Sequence, residues 1–310
     1  MITVAQGIAD PKTAGIISTQ YSKKLNMLNW PKDLLANITS SAYFDEANKG
    51  DTGVIPVQPI VAVRDFVDGA PAVRNHSVPA TQSIVIDQAW DWSEGFGPGM
   101  REFSYMDLLK TYSEAGMLSA RKKVHTAFFA WLAGKAAAAN RGATAGVKTL
   151  GFNLGTSAAP VKVTKEDFLA HCLKFTAVFL EQDIEEEDIH IILPAQLYWL
   201  ILQTELKSYL VTGEKSSLVT GKIAKLAGRE NFYTSNYATG LGTQASPFCV
   251  FAMTKQAVAY TNRLTKTDIW EAENHDAVSR GLGIWGRGII KDWALAEAWF
   301  YIDSTQAPSN

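Results

Sequence analysis

The sequence predicts an α+β fold organised around one long helix and one long hairpin. Residues 104–140 contain no proline, begin with the N-cap residue Ser104 and close with an alanine run before Asn140 and Gly142. At about 1.5 Å per residue this helix spans on the order of 54 Å, roughly three times the length of an average helix. Before it, two stretches of alternating apolar residues, 52–66 and 83–92, flank a polar segment. A long strut beside a long hairpin is typical of a protein that holds an extended shape.

The composition is that of a globular chain long enough for two domains. The chain has 310 residues, of which 47% are apolar and 19% charged. Its formal net charge of −2 argues against bulk nucleic-acid binding, because no positive excess is present to displace phosphate counterions. No signal peptide and no membrane span is predicted, so we expect a chain made in a cytosol. Cys172 and Cys249 are interpreted as buried thiols of a reducing compartment, with a disulfide between them as the alternative.

The first part of the chain predicts an arm followed by the hairpin. Residues 1–29 show little periodicity, and Pro31 opens a short helix over residues 31–42. The first hairpin strand contains Pro56 and Pro59, which cannot donate to a ladder, so it belongs at a sheet edge. Its alternating apolar residues are Ile55, Val57, Val61 and Val63, and those of the second strand are Ile84, Ile86, Trp90 and Trp92. A hairpin of this kind is marginal alone and needs a partner surface.

A glycine-rich joint, residues 94–99, connects the hairpin to the long helix. Gly95, Gly97 and Gly99 are the candidate hinge residues, because glycine permits the widest range of backbone conformations.

The second half of the chain predicts a smaller helix and several strands. Residues 141–160 are a loop with one short hairpin, and Thr164 caps an amphipathic helix over 164–182. Strands are expected at 188–193, 231–235, 248–253, 257–262, 267–272 and within 280–302, and a further helix at 195–206.

No motif predicts catalysis, a cofactor or a metal. The string Gly281-x-Gly283-x-x-Gly286 matches a dinucleotide fingerprint but is followed by strand-like residues, so we interpret it as a kinked strand. The five histidines are isolated, and the acidic residues 183–188 lack the glycine and alternation of a calcium loop. The nine tryptophans are many for this length, and no catalytic or binding motif accounts for them. They are either ordinary core or interface residues, since aromatic residues and arginines concentrate at interfaces.

The order of elements resembles that of the major capsid proteins of tailed bacteriophages, which have the Hong Kong 97-type fold. The phrases that carry the resemblance are residues 50–66 (GDTGVIPVQPIVAVRDF), 81–90 (TQSIVIDQAW), 188–206 (DIHIILPAQLYWLILQTEL) and 276–302. The resemblance implies an N-terminal arm over 1–50 and an extended loop over 51–94. It further implies a peripheral domain with a spine helix over 95–150 and 263–292. The apical domain would comprise 151–262 and 293–310.

The resemblance also implies a function and partners. It predicts a non-enzymatic subunit that assembles as hexamers and pentamers into an icosahedral shell around double-stranded phage DNA, which it contacts only weakly. A separate scaffolding protein, a portal and a decoration protein are the expected partners, and the shell would form in the host cytoplasm. The candidate inter-subunit contacts are Arg64, Asp68, Arg74, Trp90, Trp92, Asp276 and Arg280. The alternatives are an encapsulin-like bacterial compartment and a soluble two-domain enzyme.

Overall fold

The described part of the chain forms an α+β fold with two sheets. A computed structural model describes residues 34–41, 52–56, 61, 63–65, 68, 81–97, 108–146, 151–184, 189–201, 203, 232–237, 240–271 and 277–302. The predicted α+β class is therefore confirmed. Within these ranges, no helix is both long enough and apolar enough to cross a membrane.

Within the described ranges, three helices and nine strands have both of their ends defined. The helices are α1 (Leu34–Ile38), α2 (Leu108–Leu132) and α3 (Phe168–Leu180), and residues 195–201 are also helical. The first strands are β1 (Thr52–Pro56), β2 (Thr81–Phe96), β3 (Val161–Val163), β4 (Ile189–Leu193) and β5 (Phe232–Thr234). The last are β6 (Phe248–Thr254), β7 (Val258–Glu271), β8 (Ala277–Ile289) and β9 (Leu295–Ile302).

The strands form one four-stranded and one five-stranded sheet. The order is β1-β2-β8-β7 in the first sheet and β3-β9-β6-β4-β5 in the second. In the second sheet β6 pairs antiparallel with β4 and β9, whereas the short outer strands β3 and β5 pair parallel with β9 and β4. Two of the predicted strands, 257–262 and 267–272, are one continuous strand, β7.

The chain divides into two compact units. The first unit comprises residues 1–32, 88–124 and 262–285, and the second comprises 33–87, 125–261 and 286–310. The boundaries fall inside β2, α2, β7 and β8. The four-part division into arm, loop, peripheral and apical domains describes roles in an assembly, and it remains a prediction.

One part of the core of the second unit lies between α3 and the five-stranded sheet. All seven residues of β6 are buried, so the strand is covered on both faces. The Phe300 ring of β9 makes edge-to-face contacts with Phe168 and Phe175 of α3, at centroid distances of 5.7 and 6.3 Å. The apolar stripe predicted for this helix is confirmed, since Phe168, Cys172, Phe175, Val178 and Phe179 are all buried. The Thr164 hydroxyl accepts from the Glu166 and Asp167 backbone N–H groups, which satisfies two donors before the helix begins.

The long helix is shorter than predicted at its C-terminal end. It runs without interruption through Gly116, but it ends at Leu132 instead of Asn140. Gly134 has φ +78°, a left-handed conformation that favours glycine and stops the helix. Its backbone N–H donates to Glu297 Oε2 of β9 at 2.5 Å, and this bond takes the place of the next helical bond. The alanine run that favours a helix locally is thus overridden by a contact with a distant strand.

A buried asparagine fixes the chain after α2. Residues Ala138–Asn140 form one 3₁₀ turn, and the Asn140 side chain is fully buried. Its Nδ2 donates to the backbone oxygens of Trp293 (2.5 Å) and Leu295 (2.9 Å), and its Oδ1 accepts from Gln182 Nε2. A single side chain therefore ties the end of the long helix to the start of β9 and the end of α3.

The short helix α1 also ends earlier than the predicted Ala42. After Ile38 the chain joins β7, because Ser40 donates to Val258 O and accepts from Tyr260 N at 3.1 and 3.0 Å. These two bonds commit residue 40 to an extended conformation, so the helix cannot continue.

The two cysteines are free and buried, as predicted. Burial raises the pKa of the Cys172 thiol to about 12. The pKa of Cys249 is also raised, first by burial and then by the nearby carboxylate of Glu297. Both side chains are therefore neutral thiols that fill the core.

His171 of α3 is held neutral in the folded chain. Its pKa is lowered from 6.5 mainly by burial and further by Lys174, against an opposing effect of Asp167. Lys174 Nζ lies 3.2 Å from His171 Nδ1, and since an ammonium can only donate, Nδ1 acts as the acceptor.

We expect stability to fall as the pH drops below 6.5, because the unfolded chain then gains a proton on His171 that the folded chain binds less tightly. The stability that His171 contributes is present above this pH and is lost as the pH falls toward the lowered pKa of the folded state. The His171→Gln variant should show a smaller decline in unfolding midpoint between about pH 7.5 and about pH 5. An equally steep decline in the variant would contradict this assignment.

Candidate assembly site: the hairpin and its base

The predicted hairpin is present, and its first strand lies at a sheet edge. Strands β1 and β2 pair antiparallel from Thr52 opposite Val85 to Pro56 opposite Thr81. Because β1 is the outermost strand of its sheet, the missing N–H of Pro56 does not break an inner ladder. The edge position predicted from the prolines is therefore confirmed.

Apolar residues in and after the first hairpin strand, β1, are exposed. Val54 in β1 is 62% exposed, and beyond the strand Val61 and Val63 are 66% and 93% exposed. A strand was predicted over residues 52–66. Of its described residues, 52–56 form β1, whereas 61 and 63–65 are not in a strand. Arg64 and Asp68 are also exposed. Val54, Val61 and Val63 are thus β-branched apolar side chains that remain exposed in the described part of the chain.

The second strand has the predicted buried face. Ile84, Ile86 and Trp90 are buried, and Trp92 is half-buried. Opposite the two isoleucines, Gly286 and Gly288 of β8 leave so little room that an added Cβ would lie 2.9 Å from an Ile86 or Ile84 Cγ1 atom. Close packing of β2 on β8 depends on glycine at these positions.

Trp90 lies in the interior of its own chain. Its ring covers Gly283 of β8, where an added Cβ would come within 2.2 Å of Cζ2. Its Nε1 donates to Asn262 Oδ1 of β7 at 3.0 Å, so the indole reaches across β8 to the next strand. Only 3% of Trp90 is exposed in the single chain, and the neighbour contact expected from the sequence stays a prediction. The contacts of Trp90 that the structure shows are with β7 and β8 of its own chain.

Trp92 lies between the long helix and β8. Added Cβ atoms on Gly116 of α2 and on Gly281 of β8 would lie 2.5 Å from Trp92 Cδ2 and 2.3 Å from Trp92 Nε1. The two glycines therefore form the walls of a slot for this indole.

The glycine joint begins later than predicted. Strand β2 continues to Phe96, so residues 94–96 are strand and Gly95 lies inside it. Gly97 follows the strand directly, and Gly99 is outside the described residues. Of the other predicted contact residues, Arg280 is exposed on β8, whereas Arg74 and Asp276 are outside the described residues.

Sequence reasoning missed the pairing of glycines with bulky residues. The string around Gly281 lies in β8, which confirms the strand interpretation, but its physical reason is contact with the indoles and isoleucines of β2. The sequence did carry a signal for this pairing, which is a spacing of two residues in both strands. The bulky pairs in β2 are Ile84 with Ile86 and Trp90 with Trp92. They face two glycine pairs in β8, which are Gly286 with Gly288 and Gly281 with Gly283, in reverse order along the chain.

Two of the histidines serve packing. His125 and His190 make edge-to-face contacts with Tyr237 and Tyr233 at 5.6 and 5.5 Å. Among the described residues, no group of three or more His, Cys, Asp or Glu side chains could hold a metal ion.

Known structures with the same fold exist, although no family model and no curated protein matches the sequence. A structure from Mycobacterium phage Che8 is 16% identical, with a TM-score of 0.68 over 94% of this chain and 99% of that chain. The asymmetric unit of the bacteriophage PhiM1 mature capsid gives 8% identity and a TM-score of 0.63 over 92% and 91% of the two chains. The capsid structure of cyanophage P-SCSP1u gives 17% and 0.60 over 86% and 85%. The predicted Hong Kong 97-type fold is confirmed.

Proposed function

We propose that this chain is the structural subunit of a phage capsid and not an enzyme. The observation that carries the proposal is the likeness to phage capsid structures over 85% or more of both chains. A likeness that extended over one domain only would leave room for a different overall role. Here the matches cover 94% and 92% of this chain.

The exposed hairpin supports assembly into a shell of identical subunits. Val54, Val61 and Val63 gain stabilisation only if another surface covers them, and burial of a valine is worth roughly 1.5–3 kcal/mol. In a ring of identical subunits each hairpin can lie on the next copy, because a heterologous contact repeats around the ring. We propose hexamers and pentamers of this kind, closed into an icosahedral shell around double-stranded DNA.

The net charge of the chain supports a shell that binds the enclosed DNA only weakly. With a net charge of −2, the chain has no general attraction for packaged DNA and would contact it weakly. A separate scaffolding protein, a portal and a decoration protein complete the proposal, which places the chain in the virion after assembly in the host cytoplasm. The arm, extended loop, peripheral domain and apical domain keep the boundaries stated above.

The direct experiment is negative-stain microscopy of the purified chain followed by nuclease treatment of any particles. Hollow or filled shells with hexameric and pentameric units are expected, and shells from infected cells should contain nuclease-protected DNA. A stable monomer or dimer that never forms rings would contradict the proposal. Shells that enclose a specific protein cargo would instead identify an encapsulin-like compartment.

The glycine joint gives a second prediction. Replacing Gly97 and Gly99 with alanine should lower the yield of closed shells or broaden their size, because a joint with fewer accessible conformations fits hexamers and pentamers less well. Particle yield and diameter measured by microscopy check this. Gly151→Ala is a suitable control, since its Cβ would meet its nearest neighbour, Thr144, at 3.7 Å, an ordinary contact. Unchanged shells from the double variant would exclude a hinge at this joint.

A further inference from the structure

The indole of Trp92 occupies a slot whose walls are two glycines, Gly116 of α2 and Gly281 of β8. We call this slot the Trp92 seat. An added Cβ at either wall would lie well under 3.0 Å from the ring, a distance that real Cβ atoms essentially never show. The seat therefore accepts the indole only while both positions are glycine. This requirement explains a glycine in the middle of a long helix, where glycine is otherwise unfavourable.

The two tryptophans of β2 are held in different ways. Trp90 is buried, and its Nε1 donates a hydrogen bond to Asn262 Oδ1. Trp92 is half-buried, yet its Nε1 is shielded from solvent and has no hydrogen-bond partner among the described residues. A buried donor without a partner disfavours the seated state, because the same N–H group would bond to water once the ring left the seat. Shape alone holds Trp92, whereas shape and a hydrogen bond hold Trp90.

We propose that Trp92 is releasable, which means that its indole can leave the Trp92 seat while the chain stays folded. The indole of Trp90, beside it, stays in place in both states. When seated, Trp92 joins β2 to α2 and β8 at one point. When released, it frees the last residues of β2, from Trp92 to Phe96, while Trp90 keeps the rest of the strand in place. The part of β2 that can move then begins at Trp92, three residues before Gly95. Its meaning for shell assembly rests on the proposed function, but the two states of the indole do not.

If Trp92 were an ordinary core residue, a different experimental result would be expected. A core tryptophan would be rigid in one environment, and an alanine in its seat would simply destabilise the fold. A releasable residue would populate two environments in the folded chain, and an alanine in its seat would shift the ring to the released one. The two interpretations therefore differ in a measurement on the folded, unassembled chain.

The experiment is fluorine NMR of the full chain labelled with 5-fluorotryptophan, below the concentration at which particles form. Trp90→Phe and Trp92→Phe assign the two signals. We expect one narrow, solvent-shielded signal from Trp90, and from Trp92 either two signals or one signal broadened by exchange, with a solvent isotope shift. A single narrow and solvent-shielded Trp92 signal would overturn the proposal.

A matched set of variants tests the seat itself. Gly281→Ala should move nearly the whole Trp92 signal to the released position while the chain stays folded, and Gly151→Ala should leave it unchanged. If Gly281→Ala unfolds the chain, and the added Trp92→Leu change restores folding, the ring cannot leave its seat and the proposal fails. Shell yield per folded subunit should drop in Gly281→Ala. If the unaltered chain forms no shells, only the proposed function is contradicted, and the NMR result still decides whether Trp92 is releasable.

Discussion

Replacing Val61 and Val63 with aspartate is expected to abolish shell assembly while leaving the subunit folded. Both side chains are mostly exposed in the single chain, so the substitutions remove little packing from it. In the proposed shell a neighbouring copy covers them, and burial of an unpaired carboxylate costs far more than a valine gains. Because every subunit carries the change, the penalty recurs at each hairpin contact. Two aspartates per subunit should therefore prevent closure altogether.

Microscopy and size-exclusion chromatography measure this result, and the thermal unfolding midpoint of the unassembled subunit shows that the fold is kept. Val61→Ile with Val63→Ile is the matched control, because it keeps the β-branched apolar character and should assemble. Shells of normal yield from the aspartate variant would show that the hairpin valines face solvent in the particle. A large fall in the midpoint of the unassembled chain would show that the valines stabilise the subunit itself.

The second large effect is expected for Phe300→Ala in the core of the second unit. Phe300 is fully buried in β9, which runs between β3 and β6, and its ring contacts Phe168 and Phe175 as well as the His171 ring at 5.5 Å. Removing a buried phenylalanine side chain costs about 3–5 kcal/mol, through lost contacts and the cavity that remains. Since a typical domain is stable by roughly 5–15 kcal/mol, this change should destabilise the second unit severely.

Urea or thermal denaturation measures the loss. Phe300→Leu, which keeps much of the volume, should lose clearly less, and Tyr301→Ala at the half-buried next position should lose less again. If the free energy of unfolding were the same for all three variants, the packing of α3 would not depend on the Phe300 ring. A loss confined to Phe300→Ala would confirm that the contact between α3 and the sheet is centred on it.

Local patterns in the sequence determined much of this protein. Two-residue alternation predicted the buried face of β2, and prolines predicted that β1 lies at an edge. The spacing of Phe168, Cys172, Phe175 and Val178 predicted the buried stripe of α3. These features depend on neighbours a few residues apart, which is why periodicity and propensity suffice to find them. The order of such elements, together with four similar sequence phrases, also carried the resemblance to the capsid fold.

Only the tertiary structure decided where the long helix ends and what the tryptophans do. The alanine run after Gly134 favours a helix locally, but Glu297 and the backbone of Trp293 and Leu295 lie more than 150 positions away in sequence and bind this segment in another conformation. In the same way, only the structure showed that Trp90 packs against Gly283 and donates to Asn262 in its own chain. Single-residue propensities amount to a few tenths of a kcal/mol, whereas a buried polar group without its partner costs about 1–3 kcal/mol. Long-range contacts therefore prevail wherever the two disagree.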